Sequence, residues 1–190
     1  MAPDGRTPDV FAYAVAALRS VEPRPEILLE DAVAPANLAP RSFAFGGTVT
    51  RGGEEVASGR LILLYDPAGH DAWAGTMRLV TYVTAEVDAE MAADPLLAAV
   101  AWSWLTDALD TRGASYRSPG GTVTITTSSR FGDLVGPPNT ADLEIRASWS
   151  PADDRYADHM HAWCDLLAIT AGLPPPGVTA LSSRGATPGA

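Results

Sequence analysis

The chain has 190 residues, one cysteine and a formal net charge of −10 at pH 7. This length can bury roughly 70% of the unfolded chain's surface without a disulfide or metal staple, and a lone cysteine fits a reducing compartment. Its 13 cations, all arginine, are outnumbered by 23 acids. We therefore expect no nucleic-acid partner, because phosphate binding relies on clustered cations.

The ends of the chain and its hydropathy predict one cytoplasmic domain with no membrane partner. No apolar run of the sequence approaches the ~20 residues of a membrane span, and the apolar stretch after Asp9 lacks a basic leader. Residues 1–6 are predicted to be flexible. Residues 174–190, rich in Pro, Gly and Ser, are predicted to be disordered because their burial cannot offset their ordering entropy. Residues 7–173 are predicted to form a single domain.

The first predicted element is a helix. Thr7 suits the N-cap, Pro8 the first helical position and Asp9 the positive end of the helix dipole. The apolar positions after them recur at helical spacing and share one face: Val10, Phe11, Ala14, Val15, Leu18 and Val21. After two prolines, residues 27–30 are predicted to be a short extended segment.

From Ser42 the hydrophobic period changes to two, which predicts an antiparallel three-stranded meander. Gly52-Gly53 supplies a tight hairpin turn, after which the chain returns through residues 56–65. Asp66 to Gly69 matches the preferences of a type I turn. The third strand is predicted to run from Gly75 to about Ala85.

A second helix is predicted between Asp94-Pro95, an N-cap followed by proline, and Gly113, a natural stop. Its apolar positions cover roughly 200° of the helical wheel, which is wider than one core contact needs. Trp102 and Trp104 are about 160° apart on this helix and cannot both face one sheet. We expect one of them to need a second partner.

A hairpin and a third helix complete the predicted fold. Residues 122–129 form a β-branched strand after Gly120-Gly121, and the chain turns back at Gly136-Pro137-Pro138. The strand at residues 141–149 alternates cleanly between apolar and polar positions. The last helix is predicted to begin at Ser150-Pro151 or Asp153-Asp154. The order α-βββ-α-ββ-α indicates an α+β protein, and the sequence carries no dinucleotide or P-loop fingerprint.

One polar cluster on the last helix has the residue types of a zinc site: His159, His161, Cys164 and Asp165. The two histidines are about 200° apart on a helix, and Cys164 falls on the apolar stripe. The favoured interpretation is a buried cysteine, a histidine at the stripe's edge, and His161 paired with Asp165. We expect neither a metal nor another cofactor.

A second cluster lies in the loop before the third strand. His70 with Asp66 and Asp71 could act as a general base whose tautomer is fixed by an acid, and Trp73 beside it could serve as a lid. The type I turn already explains Asp66, and a tryptophan at such a position is more often rim packing. Catalysis here is the alternative interpretation, and we expect no enzymatic activity.

Several sequence blocks resemble one family across residues 10–173. These blocks are LLYDPAGH at 63–70, MAADPLL at 91–97, WSWL at 102–105, EIRASW at 144–149 and AWCDLL at 162–167. They are similar to an uncharacterised actinobacterial family, the domain of unknown function numbered three thousand. The resemblance implies a cytosolic bacterial protein and carries no activity, substrate or catalytic residue.

The element order offers a looser comparison, which is similar to type III secretion chaperones and the related YbjN-like proteins. That resemblance implies a dimer that binds polypeptides, although topology alone does not fix function. The leading hypothesis is a non-enzymatic adaptor or chaperone-like homodimer that binds another polypeptide. Two alternatives stay open: a small hydrolase that uses the Asp66, His70 and Asp71 loop, and a small-molecule sensor with a closed apolar pocket.

The charge distribution indicates which surface binds. The excess of acids falls in the helical segments 1–31, 85–112 and 151–172, whereas segments 32–84 and 113–150 carry equal numbers of acids and arginines. We therefore expect the outer face of the sheet to be the docking surface. The interface candidates are Trp73, Arg78, Trp102, Trp104, Glu144 and Arg146.

Overall fold

A six-stranded antiparallel sheet organises the chain, which a computed structural model describes at residues 9–134 and 140–175. The strands are β1 (Ile27–Ala32), β2 (Arg41–Arg51), β3 (Glu54–His70), β4 (Gly75–Val87), β5 (Tyr116–Ser128) and β6 (Thr140–Pro151). The helices are α1 (Val10–Arg19), α2 (Ala89–Ala92), α3 (Leu97–Arg112) and α4 (Tyr156–Thr170). The spatial order of the strands is β1-β2-β3-β4-β6-β5.

The predicted α+β class and the antiparallel pairing of β5 with β6 are confirmed, whereas the predicted three-stranded meander is part of a four-stranded one, β1-β2-β3-β4. The predicted three helices and five strands are too few. The segment from Ile27 is a sheet strand, because it pairs with β2 in the register Ile27 to Val49 and buries Ile27. The four-residue helix α2 also precedes α3, capped by the Asp88 carboxylate, which accepts from the Met91 amide at 2.7 Å.

The predicted reversal at Asp66 to Gly69 is wrong. The Asp66 carboxylate does accept from the Ala68 amide at 2.9 Å, and Gly69 has a φ of +76°. These local features form an irregularity in β3, which continues to His70. The chain reverses only afterwards, through a 3₁₀ helix at Asp71–Trp73.

Helix boundaries move by two or three residues from the predicted ones. Asp9, rather than Thr7, is the N-cap of α1 and accepts from two backbone amides at 3.1 Å. Helix α3 begins at Leu97, because the Asp94 carboxylate accepts from the Leu96 amide in the preceding turn. Gly113 ends α3 as predicted, with a φ of +66°.

The inner face of the sheet packs against α1, α3 and α4 in one core. The alternation predicted for β6 is confirmed, since Leu143, Ile145 and Trp149 are fully buried. Helix α4 crosses the middle of the sheet, where the indole Nε1 of Trp163 donates to the Thr81 hydroxyl at 2.7 Å.

The outer face is covered at one end only. A smaller apolar cluster forms there around Ala44, Ile62 and Leu64, and Trp73 with parts of the segment 32–39 packs onto it. The rest of that face is free of covering elements within the described residues, although neighbouring side chains bury some of its residues, such as Arg78 and Ser150.

Three predictions fall outside the described residues: the flexible residues 1–6, the turn at Gly136 to Pro138, and the tail from residue 176 onward. Pro174 is described, and its carbonyl accepts from Arg24 at 2.9 Å. Among the described helices, none has the length and apolar character to cross a membrane.

Candidate functional site

The open part of the outer face holds a shallow depression of about 460 Å³. Strand alternation builds it, since every second residue of β3, β4, β5 and β6 points to this side. Ile62 and Val80 contribute apolar surface to it. Arg60 and Arg146 also line it, and no carboxylate does within the described part of the chain.

Tyr82 lies between the two arginines in one row across the sheet. It is the register partner of Arg60 on one side and of Arg146 on the other. The guanidinium of Arg146 lies 5.5 Å from the centre of the Tyr82 ring, and its Nε forms an ion pair with the Glu144 carboxylate at 2.7 Å. Desolvation and the adjoining Glu144 carboxylate raise the pKa of the Tyr82 phenol. Arg60, Tyr82 and Arg146 thus form a flat cationic and aromatic platform, with Glu144 paired to Arg146 at its edge.

Arg78 lies on the same face farther along β4, beyond Val80, and is 9% exposed. Its guanidinium donates to three neutral oxygens: the Ser118 carbonyl at 2.9 Å, the Ser148 hydroxyl at 2.7 Å and the Ser150 hydroxyl at 3.2 Å. It makes no ion pair within residues 9–134 and 140–175. Burial lowers its pKa, yet arginine remains protonated in proteins. The outer face therefore contains a buried cation without a carboxylate partner.

The edge strand β5 is shaped around Arg78. Its pairing with β6 shifts between Arg117 and Gly120, and Ser118 in that bulge has a φ of +49°. This conformation is uncommon for a residue other than glycine. It turns the Ser118 carbonyl toward Arg78, so the arginine fastens the bulge of β5 to β4.

The three candidate tryptophans all pack within the chain. Trp73 is half-buried on the outer apolar cluster and stacks on His70 at 5.2 Å. Trp102 lies on β5, where its ring would come within 2.8 Å of a Cβ at Gly121. Trp104 is half-buried against the core. Helix α3 contacts both β5 and α4, so its wide apolar arc has two partners inside the chain.

The catalytic candidates do not assemble into a site. Asp66 is bound to a backbone amide, and His70 accepts from the Ala72 amide at its Nδ1, at 3.2 Å. Among the described residues, no hydrogen bond joins His70 to Asp66 or Asp71. All three lie outside the depression.

The metal-ligand candidates are separated by their partners. His159 is fully buried, rather than at the stripe's edge as predicted, and its Nδ1 accepts from the Trp149 indole at 3.1 Å. The sequence does not show this partner, which comes from a neighbouring strand. Burial lowers the pKa of His159 to about 4.

Asp165 and Cys164 of the same cluster also have separate surroundings. Asp165 forms an ion pair with Arg112, rather than with His161 as predicted, because α3 lies beside α4. Cys164 is buried as predicted, and desolvation raises the pKa of its thiol to about 12. Over the described residues, no group of three or more His, Cys, Asp or Glu side chains could hold a metal ion.

Strand alternation predicts Arg78 and Arg146 on this face, whereas Arg60, Tyr82 and Ser148 are site residues that only the structure identifies. Arg60 alternates with buried Leu61 on a predicted strand, so its outward direction was visible. Its position opposite Tyr82 cannot be predicted from the sequence pattern, because strand register depends on the length of the turns.

A family model described as a protein of unknown function (DUF3000) matches residues 7–179. No curated protein and no solved structure matches the chain significantly. The similarity to type III secretion chaperones therefore stays a prediction.

Proposed function

We propose, from the premise that this chain belongs to the DUF3000 family of proteins of unknown function, that it is a non-enzymatic binding protein. Its outer sheet face docks an acidic segment of another polypeptide. The observation that carries this proposal is the lining of the depression, where Arg60 and Arg146 lie with no acid among the described residues. In a chain of net charge −10, such a surface selects a negatively charged partner.

The acids of this face are either paired or lie beyond the lining of the depression, where Glu86 and Asp142 are register partners farther along β4 and β6. Glu144 is held in the ion pair with Arg146. The Glu30 side chain lies over Gly46, two strands away from Tyr82. The positive character of the depression is therefore local, although the sheet segments as a whole are neutral.

The apolar floor favours a polypeptide over a small inorganic anion. Half-buried Val80, with the small exposed part of Ile62, offers a surface for an apolar side chain, and the arginines flank it. An extended segment that alternates acidic and apolar residues would satisfy both features. The depression is open to solvent, which suits a docked chain better than an enclosed sensor ligand.

The direct test is fluorescence anisotropy with short labelled peptides rich in Glu and Leu, compared with matched peptides in which Gln replaces Glu. We expect binding of the Glu peptides, weakened about tenfold by the double variant Arg60→Ala and Arg146→Ala, since each exposed ion pair contributes up to about 1 kcal/mol. The control is Arg51→Ala with Arg130→Ala, which removes the same charge from exposed positions outside the depression. Equal loss in both double variants would refute the proposed surface.

We also propose that the chain self-associates, and an apolar stripe that runs from the N-cap residue Leu96 into α3 supports this. Leu96 is 64% exposed and Val100 is 45% exposed, one turn apart, and Trp104 continues the stripe. Trp102 packs against β5 and is not part of this stripe. The predicted homodimer is therefore proposed to form through Leu96, Val100 and Trp104.

A further inference from the structure

The guanidinium of Arg78 has hydrogen-bond acceptors but no carboxylate counter-ion among the described residues. Its three recorded acceptors, on Ser118, Ser148 and Ser150, are neutral oxygens. Moving a guanidinium out of water is costly unless an anion lies nearby. Arg78 has no such partner among the described residues. Its positive charge therefore attracts an anionic group in the neighbouring depression.

Two serine hydroxyls accept from Arg78, and they differ in where they lie. Ser148 lines the depression, whereas Ser150 is 1% exposed and does not. A hydroxyl that accepts from a cation still has its own proton to donate, and the cation strengthens that donor. The Ser148 proton has no acceptor within the described residues, so it is available to a group in the depression.

Gly120 leaves room for that group. It is the register partner of Ser148 on β5, and nothing lies within 4 Å of the position where its Cβ would be. Its φ is outside the left-handed region, so the backbone there does not require glycine. The missing side chain thus leaves open space beside Ser148, and both residues line the depression.

We propose that Ser148, backed by Arg78 and opened by Gly120, is an anion subsite that holds one carboxylate of the docked polypeptide. This inference rests on the proposed function for the source of the carboxylate. The Ser148 hydroxyl donates to one carboxylate oxygen. Arg78 acts through Ser148 as a positioning residue and balances the charge.

The test is an NMR titration of the full chain with acetate, which follows the amides of Gly120 and Gly121, with chloride as the control anion. We expect acetate to move these amides and Ser148→Ala to weaken its binding about tenfold. Gly120→Val fills the space and should abolish the response without lowering the melting temperature. Ser150→Ala is the matched control, because it also loses a hydroxyl on Arg78 and should leave acetate binding unchanged.

The outcomes separate this subsite from the proposed function. Absence of an acetate response, the same response with chloride, or equal affinities in the Ser148→Ala and Ser150→Ala variants would overturn the subsite, even where the Glu and Leu peptides bind. Conversely, an intact acetate response with no peptide binding would overturn the proposed function alone.

Peptides with free and amidated C-termini identify the source of the carboxylate. Affinity lost on amidation assigns the terminal carboxylate, and affinity retained assigns a Glu side chain.

Discussion

His159 is a buried imidazole whose environment keeps it neutral. Its Nδ1 accepts from Trp149, and its Nε2 is the one buried side-chain N or O atom without a hydrogen-bond partner in the described part of the chain. Burial is the main cause of its lowered pKa; Asp153 and Asp158 raise that pKa, and Arg155 lowers it further. A charged His159 would be desolvated in the core, so its protonation opposes folding.

The pH dependence of stability follows from this shift. In the folded state the His159 pKa is about 4, against an ordinary value of 6.5. Above pH 6.5 the residue is neutral in both states and contributes no pH dependence. As the pH falls from 6.5 to 4, the unfolded state takes up the proton first, so the free energy of unfolding should fall by roughly 3 kcal/mol.

Urea denaturation across this pH range measures the effect. His159→Asn keeps an acceptor for the Trp149 indole and removes the titration, so its stability should fall less steeply below pH 6.5 than that of the wild type. His161→Asn on the same helix is the control and should follow the wild type. Identical slopes for the wild type and His159→Asn would show that His159 is not the titrating group.

At the level of elements, α4 approaches the sheet closely because two paired glycines face it. Gly47 and Gly59 are register partners on β2 and β3. A Cβ at Gly47 would lie 2.7 Å from a Leu167 methyl and 2.8 Å from the Trp163 ring. These two side chains occupy the space that the glycines leave, and the Trp163 indole then reaches Thr81.

Gly47→Ala should therefore destabilise the protein by about 1–3 kcal/mol, because an added methyl in a packed core displaces its neighbours. The neighbouring Gly46→Ala is the matched control, since its nearest contact would be an ordinary 3.6 Å to Glu30. We expect the control to be neutral or slightly stabilising. Chemical denaturation of both variants decides the point, and equal stabilities would contradict close packing at Gly47.

Sequence patterns predicted the elements well where one face of the strand or helix is exposed to solvent and the other is buried. The alternation in β6 placed Leu143, Ile145 and Trp149 correctly because each faces the same core. The patterns failed where tertiary pairing decides. The segment from Ile27 is short, and only its pairing with β2 shows that it is a strand of the sheet. Asp66 has the sequence signal of a turn but lies within the longer strand β3.

The candidate site was predictable only in part. Alternation places Arg78 and Arg146 outward, yet the site depends on which residues are opposite each other across strands. Ser148 meets Gly120 only after the β5 bulge shifts the register. That bulge is held by Arg78, a contact between residues forty positions apart that no local pattern records.

The whole molecule places acidic helices on one side and a locally cationic depression on the other. The segment 85–112 is rich in acids and includes the proposed dimer stripe. Two copies docked through that stripe would repel each other electrostatically. Salt screens such repulsion over about 10 Å at 0.1 M, so self-association should strengthen as salt is raised.

Light scattering after size-exclusion chromatography tests this prediction at low and high salt. Val100→Asp should yield a monomer under both conditions. Ala98→Asp adds the same charge at an exposed position on the opposite side of α3 and should leave the dimer intact. A wild type that is monomeric at high salt would remove self-association from the proposal.

The most direct test of peptide docking on the outer sheet face is an amide chemical-shift map of the full chain with the Glu and Leu peptide. We expect shifts along the row of Arg60, Tyr82 and Arg146 and on β5 near Thr122, with little change in α1 and α4. Shifts centred instead on the Arg112 and Asp165 pair between α3 and α4, or none on the outer face, would contradict it.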